Sequence, residues 1–316
     1  MNEYKNFTSP CDTPEEIKKE NKYMSTVFFT FAIAYVVSLV FLLTFDAYLH
    51  AFSLSKDTEY IIRSIISASH TPLIFAIMLA VFKRIPSAPH PVTDKMSAGK
   101  FLNIFCVCIF LMVIGSLVGN GVTKFISSLT GKSYSGIVAD IVKSMKPAEI
   151  FILAVILGPL FEELVFRKLL AGRLARYGTV FASVVSALVF GLYHGNFEQF
   201  FYAFFVGIIL SYVYCVYGKI IYSILIHIAI NAIGSFIPLM LEIGETSEIT
   251  TPQMIYLYLY VMAFASGGFI LISKCRQSLF NLVEGYLIKP WRVLVLNPGF
   301  ISAVIISFFM FIYNIL

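Results

Sequence analysis

Nine apolar runs of roughly 17–21 residues divide this chain: 26–45, 64–82, 101–119, 150–170, 179–195, 199–217, 220–240, 254–273 and 299–316. At 1.5 Å of rise per residue, a helix of about 20 apolar residues matches the hydrocarbon thickness of a bilayer. A chain built this way has no route to a single water-soluble core. Its make-up agrees: 59% of its 316 residues are hydrophobic and 13% charged, with a mean hydropathy of +0.85, whereas soluble domains carry about 25% charged residues. The expected fold is all-α, a polytopic transmembrane helical bundle of about nine spans. Eight is the alternative count, because the fourth, fifth and last runs are the shortest or the most interrupted.

Basic residues orient the bundle. With the N-terminus inside, the cytoplasmic segments 1–25, 83–100, 167–178, 218–219 and 274–298 carry 17 Lys and Arg. The outer segments 46–63 and 120–149 carry the remaining 6 of 23. That asymmetry obeys the positive-inside rule, and acidic Glu242, Glu245 and Glu248 fall in an outer loop. The first run is longer than a signal-peptide core and no small-residue cleavage site follows it, so it is expected to remain as the first helix. The division is a solvated cytoplasmic tail (1–25), N-terminal helices and loops (26–149), a polar-motif core (150–240) and C-terminal helices (241–316). The place is an integral membrane, read as a bacterial plasma membrane. The net charge of +5 reflects topology and calls for no nucleic acid. Cys11, Cys106, Cys108, Cys215 and Cys275 form neither a disulfide framework nor a zinc motif, and the C-terminus has no cysteine for prenylation.

Against this background, Glu162 and Glu163 stand out. Apolar residues run from Ile150 to Phe161, interrupted by Gly158 and Pro159, and Leu164, Val165 and Phe166 follow. Each charge at bilayer depth costs at least about 2.5–3.5 kcal/mol, so such residues are functional candidates by default. Glu163 and Arg167 share a helix face at i,i+4; Glu162 is turned about 100° away. One carboxylate is expected to pair with Arg167, leaving the other for chemistry. Pro159 is expected to kink the helix one turn earlier. His194 ends the fifth run, four residues after Phe190. His227 and Asn231 share a face of the seventh. Taken singly, each has a structural reading: an ion pair, an interfacial anchor, interhelical hydrogen bonds. Taken together they form a polar set drawn from three helices. A carboxylate beside a histidine can activate water and protonate a leaving amine, and a second histidine with an amide can stabilise an oxyanion. His70 and Asp46 have no motif partner and are read as structural; His50 and His90 fall in loops.

The ordered motifs EExxxR (Glu162 to Arg167), FxxxH (Phe190 to His194) and HxxxN (His227 to Asn231) resemble the CAAX protease and bacteriocin-processing (ABI, CPBP) family of intramembrane endopeptidases, which includes the type II CAAX prenyl protease. The resemblance spans 162–231. It implies an all-helical intramembrane protease in which Glu162 and His194 activate a water while His227 and Asn231 form the oxyanion site. It also implies a membrane-associated peptide or protein as substrate: a prenylated tail, a pheromone or a bacteriocin leader. The family is often called metalloprotease, so a zinc held by Glu162, His194 and His227 is an open alternative to metal-free catalysis. The rival functions are a catalytically silent immunity or sensor-regulating partner on the same scaffold, and a transporter. The latter calls for an inverted repeat of polar motifs, which the chain does not show. One conflict stands: simple span counting places His194 far above Glu162. A short fifth helix turning at Gly195-Asn196 inside the bilayer, beside a water-filled cavity, resolves it.

Overall fold

The computed structural model describes residues 14–49, 52, 55–88, 95–132, 145–243, 249–282 and 289–315. His50, His90 and Cys11 lie outside them, as do residues 244–248 of the acidic loop. Every regular element among the described residues is helical. We number them α1 (Pro14–Leu49), α2 (Lys56–Phe82), α3 (Ala98–Thr130), α4 (147–174), α5 (Thr179–Tyr193), α6 (Phe197–Tyr217), α7 (220–240), α8 (Thr251–Leu282), α9 (Lys289–Val295) and α10 (Pro298–Ile315). Each of the nine apolar runs falls on a helix. Six of these, α1–α3 and α6–α8, are long and apolar enough to cross a membrane, whereas α5 and α10 are shorter apolar helices.

The central element, α4, is discontinuous in its bonding. α-Helical turns at Pro147–Glu149, Gly158–Glu162 and Gly172–Leu174 alternate with π-helical stretches at Ile150–Leu157 and Glu163–Ala171. Pro159, where a kink is expected, lies in the α-helical turn between the two π-helical stretches. Pro159 has no N–H to give, and the Gly158 N–H reaches the carbonyl five residues back, at Leu153. π-Helical insertions of this kind are rare and gather at functional sites.

Helices α2, α5, α6 and α7 surround α4. One apolar cluster joins α1, α2, α4 and α5 through Phe28, Phe31, Ile74, Phe166, Leu170 and Phe190; a second joins α3, α6 and α7 through Ile109, Met112, Leu210 and Ile226. Small residues set the tight crossings. A Cβ on Gly115 of α3 would fall 2.4 Å from Tyr202 Cα of α6, and one on Gly267 of α8 would fall 2.0 Å from Cys106 O of α3.

Residues 14–25 of the expected cytoplasmic tail form the first turns of α1, exposed from Pro14 to Lys19. Glu20 is only 4% exposed. It pairs with Arg176 at 3.0 Å and accepts from the Tyr177 hydroxyl at 2.6 Å. On the same face Asn297 Nδ2 donates to Asn21 O at 2.9 Å, and Arg173 donates to Phe82 O at 2.8 Å.

Candidate active site

The two glutamates of α4 have opposite surroundings. Glu163 is 0% exposed, as is Arg167, whose Nη1 lies 3.2 Å from Glu163 Oε1. The expected pair is therefore present. Arg167 Nη1 lacks hydrogen-bond alignment there, so the contact is Coulombic, and the guanidinium carbon also sits 4.2 Å over the Phe190 ring. That cation–π contact adds to the balancing of a charge held away from water. Glu162, by contrast, keeps 17% of its side-chain exposure and faces a cavity.

His227 joins the two carboxylates. Its Nδ1–H donates to Glu163 Oε1 at 2.8 Å, and its Nε2 lies 3.7 Å from Glu162 Oε2. Glu163, fixed by Arg167, thus orients the His227 ring, as buried carboxylates do for functional imidazoles. His194 caps α5. Its Nδ1–H donates to the Phe190 carbonyl at 2.8 Å, which leaves Nε2 as the basic nitrogen of the neutral ring. The α5–α6 turn is built around this residue. Gly195 takes φ 65°, a left-handed conformation suited to glycine. Asn196 then caps α6 by accepting from Gln199 N at 2.9 Å, while its Nδ2 donates to His194 O at 2.9 Å. Asn231 Nδ2 donates to Ala154 O in the first π stretch at 3.0 Å, tying α7 to α4.

One cavity of about 540 Å³ is lined by Glu162, His194, His227 and Asn231. The structure thus brings these four together and sets Glu163 and Arg167 behind them as a buried support. It also resolves the conflict of levels: α5 ends at Tyr193 and turns back beside Glu162, so the two residues share a wall. Phe190, the first position of FxxxH, is the packing centre. Its ring meets His194 edge-on at 4.9 Å and His227 at 5.8 Å.

Residues 145–233 match the family model described as type II CAAX prenyl endopeptidase Rce1-like. This segment, 89 of the 316 residues, is similar to that family. No match is found among curated proteins or solved structures. The matched segment holds α4 to α6, the first part of α7 and all three motifs, while α1, α2, α3, α8, α9 and α10 lie outside it. With six membrane-length apolar helices among the described residues, the chain is an integral membrane protein.

Sequence reasoning missed the neighbours of the CAAX-protease motifs. His70 Nδ1 and Thr71 Oγ1 both meet the Tyr193 hydroxyl, at 2.9 and 2.7 Å. They brace the residue next to His194 from α2, more than 120 positions away. No periodicity could signal that pairing. Gln199 and Tyr202 also line the cavity, bonded to each other at 3.0 Å. Among the described residues, no three His, Cys, Asp or Glu side chains converge as a metal-ligand set. Glu162, His194 and His227 line the same cavity, and both His227 nitrogens face carboxylates.

Proposed function

We propose that this protein is an intramembrane endopeptidase that hydrolyses a peptide bond of a membrane-associated peptide or protein with a water activated by Glu162 and His194. The observation that carries the reading is the shared cavity: a carboxylate, two imidazoles and an amide on one wall of an otherwise apolar helical bundle. Glu162 takes the proton of a water directed at the scissile carbonyl, and His194 Nε2 orients that water and relays the proton to the leaving amine. The water oxygen bonds to the carbonyl carbon, the C–N bond breaks, and the proton ends on the amine. Asn231 has a second amide hydrogen beyond the one given to Ala154, and this hydrogen serves the oxyanion. A His227 ring that gives Nδ1–H to Glu163 can offer Nε2–H only as the imidazolium, so its oxyanion role is tied to protonation. No step needs a metal.

The test is cleavage of a membrane-anchored peptide by the purified enzyme. A general base is worth typically about 10²–10⁴-fold, so Glu162→Gln and His194→Ala are expected to cut kcat by that order, the isosteric Glu162→Gln with unchanged melting. Chelator treatment is expected to leave turnover intact. A folded Glu162→Gln enzyme working at the wild-type rate would falsify the mechanism. Loss on chelation, restored by zinc, would move Glu162, His194 and His227 to ligand roles.

A further inference from the structure

The helix ends sort into two faces, and the cavity belongs to one of them. The first face carries the start of α1 and the end of α2. It is held together by Glu20 to Arg176, Arg173 to Phe82 O, Asn297 to Asn21 O, and Met96 N to Tyr222 Oη at 3.2 Å. On the second face, the start of α2 meets the start of α4 where the Tyr60 hydroxyl bonds the Glu149 carboxylate. There too the start of α8 meets the end of α7, where Gln253 donates to Leu241 O at 2.7 Å. Tyr60, Arg63, Ser64 and Met145 form the shallow end of the cavity, and Glu162, His194 and His227 the deep end. Below the deep end, toward the first face, Phe166, Leu170, Leu174 and Phe181 are buried and close the bundle. Among the described residues, the cavity therefore opens on the second face.

Charge says which face this is. On the first face lie Lys83, Arg84, Lys95, Arg176, Lys219 and Arg292, among others; on the second, among the described residues, lie Lys56, Arg63, Lys124, Lys132 and Lys146. Over the whole sequence, leaving out Arg167, which is buried inside the bundle, the division is 16 against 6. By the positive-inside rule the first face is cytoplasmic.

We infer that the catalytic cavity opens to the non-cytoplasmic side, so that its substrate is an exported or outer-leaflet peptide and not a tail presented from the cytoplasm. The word substrate rests on the proteolytic reading above; the direction of opening does not. An extended peptide enters past Tyr60 and Arg63, and its scissile bond reaches the level of Glu162. A cytoplasmic tail would have to displace the buried layer between Phe166 and Phe181.

Thiol labelling tests the opening. Ser64→Cys and Lys146→Cys, at the mouth, and Lys95→Cys, on the opposite face, are expressed in intact cells and treated with a membrane-impermeant maleimide, with wild-type labelling subtracted. The mouth cysteines are expected to label without permeabilisation, and Lys95→Cys only after it. Detergent chromatography confirms that each variant is folded. Absence of labelling at both folded mouth variants in intact cells overturns the inference, as does labelling of Lys95→Cys there. A second arm adds an impermeant fluorogenic peptide outside the cells. Glu162-dependent cleavage only after permeabilisation sinks the outward opening and keeps the protease. Labelling as expected, with no Glu162-dependent cleavage in either condition, keeps the opening and sinks the protease.

Discussion

The chemistry proposed for this site rests on one glutamate being kept from its neighbour's fate. Glu163 is spent on Arg167 and His227, and that leaves Glu162 facing the cavity. Buried pairs of this kind add little net stability, but removing one partner leaves an uncompensated charge, at about 3–5 kcal/mol. Arg167→Ala is therefore expected to lower the melting temperature in detergent as well as turnover. The double change Glu163→Gln with Arg167→Met removes both charges and is expected to recover much of the stability. It is not expected to recover turnover, because His227 loses the carboxylate that orients its ring. Differential scanning fluorimetry beside the cleavage assay separates the two effects. Full activity in the double variant would show that Glu163 has no positioning role.

At the scale of elements, close helix crossings hold the wall of the cavity in place. Gly267→Ala would put a methyl 2.0 Å from the Cys106 carbonyl, a backbone atom that cannot swing aside. The expected cost is about 1–3 kcal/mol, typical of overpacking. Gly121→Ala on the same α3 meets nothing within 4 Å, so it should be neutral or gain roughly 0.5–1 kcal/mol from the helical preference for alanine. Thermal melts of the two variants that moved together would contradict the packing account. Hydropathy made the helices themselves legible, since burial in lipid depends on the sum along a run. The i,i+4 spacings made Glu163–Arg167 legible too. The π-helical stretches of α4 were not: a kink at Pro159 could be foreseen, but not the register in which the freed carbonyls find new donors. The Tyr193 brace from His70 and Thr71 was equally hidden, because its partners meet only after the helices have packed.

For the molecule as a whole, the N-terminal turns are part of the fold. Glu20 draws the start of α1 onto the α4–α5 connection, where burial and the neighbouring carboxylate hold the Tyr177 phenol above its usual range. Charged hydrogen bonds are worth about 1.5–3 kcal/mol, so Glu20→Gln should lower stability by roughly that amount. Proteolytic susceptibility around residues 14–25 should rise with it, and limited proteolysis in detergent reads this directly. An unchanged digestion pattern would mean that the clasp does not hold α1. Composition suggested a solvated tail here because six charges crowd into 15–22; one of them turns inward to partners more than 150 positions away.

Phe166, Leu170 and Leu174 are buried beyond the level of Glu162, so on the proteolytic reading the cavity is a blind alley. A chain cannot be threaded through it from one side of the bilayer to the other. Whatever is cut must back out through the doorway by which it came, so each product obstructs the next arrival. Competitive product inhibition, and a preference for short free ends over long internal stretches, are the kinetic marks such a dead-end chamber should leave.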